Sequence, residues 1–201
     1  HLENEWQTLL NNLINYKSYS FYTFQGQIIP SAYMPPSYPF FIYFIYLITN
    51  FLNIGLINTV IFIQILLSTY SVYLFYQINL NFFVKKVSLI NSLIFSLIPI
   101  NIYYCGQISS INLQIFLSLL FLKFLILFIN KEKIINLIIF SLISGLLILT
   151  RGEFILIFIL TIFYIFLCKK TKLVNLIKIF FILILIISPY VIRNYIHFDQ
   201  F

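Results

Sequence analysis

The stretch 134–168, IINLIIFSLISGLLILTRGEFILIFILTIFYIFLC, decides how this chain folds. It is apolar almost throughout, yet it exceeds the roughly 17–25 residues that one membrane-crossing helix uses. Thr150, Arg151, Gly152 and Glu153 divide it. A charged side chain deep in hydrocarbon costs roughly 2.5–3.5 kcal/mol on insertion scales, so Arg151 and Glu153 need either a surface or a use. The reading is a hairpin: two short helices joined by a turn whose charges reach the membrane interface. The plainer alternative is a turn and nothing more, with Gly152 breaking the helix between polar neighbours.

The rest of the chain agrees with a membrane setting. It is 62% hydrophobic and 8% charged over 201 residues, with mean hydropathy +1.02. Soluble domains carry about 25% charged residues, so a water-soluble single-core fold is excluded. The abundance of Ile, Asn, Lys, Phe and Tyr is the mark of an AT-rich genome and lowers the weight of any one aromatic. The chain opens on His1 and stops at RNYIHFDQF, and is expected to be a piece of a longer protein.

Apolar runs occur at about 56–78, 87–104, 113–130, 134–150, 154–168 and 173–190. The expectation is an all-α, polytopic helical membrane protein with about six transmembrane helices. The segment 38–53, YPFFIYFIYLITNFLN, is either a seventh short span or a helix lying in the interface, where Tyr and Phe are favoured. Charge chooses between these. With six spans and residues 1–55 outside, the inner loops hold Lys85, Lys86, Lys131, Lys133, Lys169, Lys170 and Lys172, while Lys123 and Lys178 snorkel to the same side. Lys17, Arg151 and Arg193 are then the three basic residues left outside, against nine inside. That asymmetry satisfies the positive-inside rule. The same topology collects Glu3, Glu5, Glu153 and Asp199 on the outer face. Residues 1–55 are thus an extracytoplasmic loop with juxtamembrane helices, and 56–201 the transmembrane region.

A net charge of +7 points to no nucleic-acid partner here, because the lysines lie between apolar segments. Cys105 and Cys168 fall at opposite ends of spans, too far apart to pair. No metal-ligand spacing, phosphate-cradling glycine loop or Ser-His-Asp arrangement is visible. His197 is a lone histidine and carries nothing.

Four outer pieces remain: HLENEWQTLLNNL (1–13), YMPPSYPFF (33–41), IYYCGQISS (102–110) and the two arginine segments. Arg presents a planar fork to phosphate oxygens, and a lipid phosphate sits at this depth. A nearby carboxylate can act as general base for an acceptor hydroxyl or amine. Tyr-rich surface suits a sugar or a polyprenyl chain. The bland readings are a solvated helix start for Glu3 and Glu5, a loop-to-helix junction for PPSYP, and an interfacial belt for Tyr103 and Tyr104.

The order ENEW (3–6), MPPSYPFFIYFIY (34–46), LISGLLILTRGEFILIF (142–158), SPYVIRNYIHFDQF (188–201) resembles bacterial GT-C membrane glycosyltransferases of the protein-mannosyltransferase and aminoarabinose-transferase kind. The likeness implies the N-terminal half of such an enzyme, with residues 1–55 as its first extracytoplasmic loop. It implies a polyprenyl-phosphate sugar as donor, membrane lipid as surroundings, and the bacterial inner membrane as location. Sugar, acceptor, oligomeric state and any divalent metal stay open. The family's acidic base lies in the first loop, where Glu3 and Glu5 stand; Glu3 is preferred, because the family's acid sits a few residues ahead of the aromatic. Arg151 and Glu153 are similar to the family's Arg-Pro-Glu turn, with Gly152 in place of proline. Arg193 is similar to the arginine closing a later helix, with Tyr190 in place of tryptophan, and the likeness implies that Arg151 and Arg193 converge to hold the leaving phosphate. Tyr38, Tyr104 and Gln107 are candidate substrate contacts. The rival classes are a transporter or lipid flippase binding an anionic substrate, and a non-catalytic membrane scaffold.

Overall fold

Each of the six apolar runs is helical. The computed structural model describes residues 4–24, 27–32, 34–167 and 171–198, with backbone alone at 4, 5, 22–24, 27 and 28. Among these the chain forms α1 (Asn4–Tyr16), a hairpin of β1 (Tyr22–Phe24) and β2 (Gln27–Ile29), α2 (Ser37–Leu52), α3 (Leu56–Asn79), α4 (Lys85–Ser96), α5 (Pro99–Cys105), α6 (Ser110–Asn130), α7 (Ile134–Thr150), α8 (Phe154–Leu167) and α9 (Leu173–Phe198). The fold is all-α and membrane-like, and the three-residue strands are its one departure, pairing antiparallel with Tyr22 opposite Ile29.

Three helices, α3, α6 and α9, are long and apolar enough to cross a bilayer, at 24, 21 and 26 residues. With a rise of about 1.5 Å per residue they extend about 32–39 Å, more than the ~30 Å hydrocarbon core. The run 87–104, expected as one span, is broken into α4 and α5, which bend by 56°. Pro99 explains the break: it opens α5, while Ile98 before it is extended (φ −60°, ψ 118°). Proline lacks the N–H that a continuing helix needs and pushes its predecessor out of the helical region. Counting the bent pair as one gives up to four spans by length and composition. The remaining two expected spans, α7 and α8, have 17 and 14 residues and meet at the Arg151–Glu153 turn.

α7 is the centre of the bundle, packed between α6 and α9. Phe140 on α7 is fully buried and stacks with Phe128 of α6 and Phe158 of α8 at 6.3 and 6.4 Å between ring centroids. One face of α7 is small: Ser141, Ser144 and Gly145 are all buried. The serine hydroxyls donate to Leu137 O and Phe140 O in the turn before, so no polar group is orphaned. A Cβ on Gly145 would lie 2.7 Å from Ile186 Cγ2, so glycine is what lets α9 approach. Small residues at close crossings are a common membrane-helix device.

Side-chain bonds tie the two ends of the bundle. At one end Asn91 Nδ2 donates to Asn79 Oδ1 (2.9 Å) and Asn175 Nδ2 to Glu132 Oε2 (3.1 Å). The described lysines 85, 86, 131, 133 and 172 lie at or beside these helix ends. Lys123 bonds sideways to Gln77 Oε1 on α3 at 2.6 Å. At the other end Gln64 Nε2 donates to Ser109 O (3.1 Å), and Ser37 Oγ to Leu146 O (3.1 Å).

The first of those two ends holds the lysines; the second receives α1 and α2. Leu10 of α1, Tyr38, Ile42 and Ile45 of α2, and Val60 of α3 share one buried cluster. The opposite face of α2 is exposed and apolar, with Phe44 and Phe51 outward. Asn53 closes α2 in the left-handed region (φ 53°), its N–H donating to Thr49 O, and the chain turns into α3. Both ends of α2 therefore meet the same end of the bundle, one at α7 and one at α3.

Candidate functional site

The turn 151–153 follows α7 because Arg151 leaves the helix in extended geometry (φ −150°, ψ 119°), with its N–H still bonded to Leu147 O. Phe154 N then donates to Arg151 O and starts α8. This turn forms one wall of a cavity of about 240 Å³. Trp6 of α1 and Pro35 and Tyr38 at the start of α2 form a second wall, and Ser110 of α6 closes it. Trp6 meets the Tyr38 ring edge-on, 4.7 Å between centroids. Tyr38 is buried, Trp6 and Arg151 are half-buried, and Glu153 is exposed. Neither the Arg151 guanidinium nor the Glu153 carboxylate has a hydrogen-bond or ion-pair partner among the described residues. A half-buried guanidinium without a protein partner keeps its N–H donors available to an anion.

Three sequence candidates, Tyr38, Arg151 and Glu153, thus come together. Arg193 does not join them. Its guanidinium donates to Ser31 O (2.8 Å), to Tyr19 O (2.5 Å) and to Asn194 Oδ1 (2.9 Å). It also lies over the Tyr19 ring, 5.3 Å from the centroid. Tyr19 in turn donates from its hydroxyl to Met34 O (2.6 Å), and Tyr190 donates to the same carbonyl (3.3 Å). Burial pushes the Tyr19 hydroxyl well above the ordinary tyrosine range; Tyr190 adds to this and Arg193 partly offsets it. Arg193 is therefore a strut that fastens residues 19–34 to the end of α9. Beneath the strut lies a separate, mostly apolar cavity of about 450 Å³, with Phe40, Phe41, Leu113 and Ile186 among its walls.

The other candidates fall elsewhere. Tyr104 stacks edge-on with Tyr103, and its carbonyl accepts from Asn112 Nδ2 at 2.7 Å. Gln107 is exposed, and neither residue lines the Arg151 cavity. Glu3 lies outside the described residues. Glu5 belongs to the first turn of α1, directly before Trp6, so the backbone of that turn stands at the cavity wall. Trp6, Ser110 and Thr150 line the site although the sequence reading did not choose them. Ser110 sits inside the IYYCGQISS segment and was one step from selection. No group of three or more His, Cys, Asp or Glu capable of holding a metal occurs among the described residues.

The topology has a direct test. Single cysteines at Gly152 and at Asn194 should react with an impermeant thiol reagent in intact cells, and one at Thr171 should not. Reaction at Thr171 alone would invert the arrangement. Comparison with models of protein families, with curated proteins and with solved structures finds no match.

Proposed function

We propose that this chain acts as a glycosyltransferase of the bacterial inner membrane, moving a sugar from a polyprenyl-phosphate donor to an extracytoplasmic acceptor. The observation that carries the reading is Arg151: a half-buried guanidinium with no protein partner among the described residues, in a cavity whose walls also include Glu153, Trp6 and Tyr38. This set suits a phosphate with a sugar attached. The fork takes the phosphate oxygens, and the half-buried Trp6 ring stands in the wall for the sugar.

The reaction is a displacement at the anomeric carbon. The acceptor oxygen or nitrogen forms its bond to that carbon as the bond to the phosphate oxygen breaks. The phosphate leaves with the electron pair, held by Arg151, and Glu3 or Glu5 takes the acceptor's proton. Arg193, already committed to loop carbonyls, acts by holding residues 19–34 in position.

Purified protein in lipid discs, given a panel of polyprenyl-phosphate sugars together with candidate hydroxyl and amine acceptors, should release polyprenyl phosphate as the sugar moves to the acceptor. Arg151→Lys keeps the charge and loses the fork, and should lower release by about 10²-fold. Full release in the Lys variant would remove the phosphate role.

A second reading, a transporter or flippase, draws on a different observation. The bent α4–α5 pair borders a cavity of about 740 Å³, and broken helices beside a central cavity are common in transporters. That reading expects substrate to cross sealed vesicles chemically unchanged.

A further inference from the structure

The large cavity among α3, α4, α5 and α6 has a chemical character of its own, independent of the glycosyltransferase reading. Several of its polar side chains already donate hydrogen bonds to backbone carbonyls. Ser71 Oγ donates to Leu67 O, Ser92 Oγ to Ser88 O and Ser96 Oγ to Leu93 O, all within 2.7–2.8 Å. Asn101 Nδ2 donates to Phe95 O (3.1 Å), and Asn112 Nδ2 to Tyr104 O (2.7 Å). Three of the five, Ser71, Ser92 and Asn112, are at most 6% exposed. What these groups keep is their hydroxyl lone pairs, the two amide oxygens and one further N–H on each asparagine, and the Ser68 and Tyr76 hydroxyls also line the wall, so the cavity both accepts and donates.

A ligand here therefore meets acceptors and donors together. No Lys, Arg, Asp or Glu lines the cavity. An anionic head would find no counter-charge, and a cation would be desolvated with none to balance it. The ligand group that fits is an uncharged hydroxyl, which both donates and accepts. Most of the remaining wall is apolar, and three of its residues, Leu89, Leu93 and Ile102, are also exposed on the side of the bundle. The mouth thus opens sideways, toward acyl chains, between helices of membrane character. A volume of about 740 Å³ holds more than a head group.

We infer that this cavity binds a neutral lipid with a hydroxyl-bearing head, of the diacylglycerol type, entering from the bilayer. Asn112 and Ser92 receive its hydroxyl, and the apolar wall takes the first carbons of its chains.

Cys105 lines the same cavity and is partly exposed, so it reports on occupancy. The test uses Cys168→Ser protein in phosphatidylcholine discs and follows the rate at which N-ethylmaleimide modifies Cys105. Dioctanoylglycerol should slow the rate about tenfold at roughly ten times its dissociation constant. Dioctanoyl phosphatidic acid, with the same chains and an anionic head, should leave it unchanged, and so should free glucose. Ser92→Leu fills the cavity and removes an acceptor, so protection should vanish. Should that variant not fold, the comparison of the two lipids on unaltered cavity residues decides alone. Absent protection by dioctanoylglycerol, equal protection by phosphatidic acid, protection by glucose instead, or protection that survives in a folded Ser92→Leu protein would each overturn the assignment.

Discussion

Glu3→Gln and Glu5→Gln should have unequal effects, one lowering sugar transfer by about 10²-fold or more and the other leaving it near the starting value. Gln keeps the size of the side chain and removes its basicity. Two positions apart on a helix, the side chains would point about 200° from each other, so both cannot serve one acceptor atom. Glu5 stands in the first turn of α1, one residue before Trp6 of the cavity wall, and Glu3 lies outside the described residues. The expectation from the sequence favours Glu3. Donor binding should survive in both variants, which separates loss of a base from loss of the site. If transfer is undiminished in both, neither glutamate takes the proton and the displacement mechanism lacks its base.

Arg193→Ala should damage the fold where Arg151→Ala should not. The Arg193 guanidinium holds two carbonyls of the 19–34 segment, and charge-assisted bonds of this kind are worth about 1.5–3 kcal/mol each. Its partial exposure discounts this, so a loss on the order of 2 kcal/mol is the expected result of thermal unfolding in detergent. The neighbouring Tyr19 gives a second reading of the same latch. Its folded-state hydroxyl titrates above the unfolded value, so its proton stabilises the fold below about pH 10 and the contribution is lost as pH rises past that point. Alkaline sensitivity that is the same in Tyr19→Phe and wild type would place the effect elsewhere. Arg151→Ala, with no protein partner to lose among the described residues, should unfold at the wild-type temperature.

Much of this architecture was legible because hydropathy and turn chemistry are local. The turn at 151–153 announces itself by charge and glycine within apolar sequence, and the helices on either side end there. The break at Pro99 was equally readable, since proline and its predecessor carry a known backbone restriction, yet the run 87–104 was taken as one span on hydropathy alone. Arg193 was harder. Its chemical type suggested a phosphate, but its partners are main-chain carbonyls 162 and 174 residues away. Every residue has a carbonyl, so no side-chain pattern marks which ones an arginine will reach. Tyr19 and Ser31 supply the other half of that latch, and reading residues 1–55 as an outer loop singles out neither. Ser110 and Trp6 reach the Arg151 cavity through the packing of α1, α2 and α6, and no spacing along the chain encodes that meeting.

Trp6 is the protein's one tryptophan and it lines the Arg151 cavity, so its fluorescence reports directly on what enters there. The measurement is a titration of the purified protein in lipid discs with decaprenyl phosphate, and separately with decaprenol. The account predicts a saturable change with the phosphate, little change with the alcohol, and at least about tenfold weaker binding in Arg151→Lys, because the bidentate fork is lost. A flat titration, or one in which decaprenol and Arg151→Lys behave like decaprenyl phosphate and wild type, would contradict it.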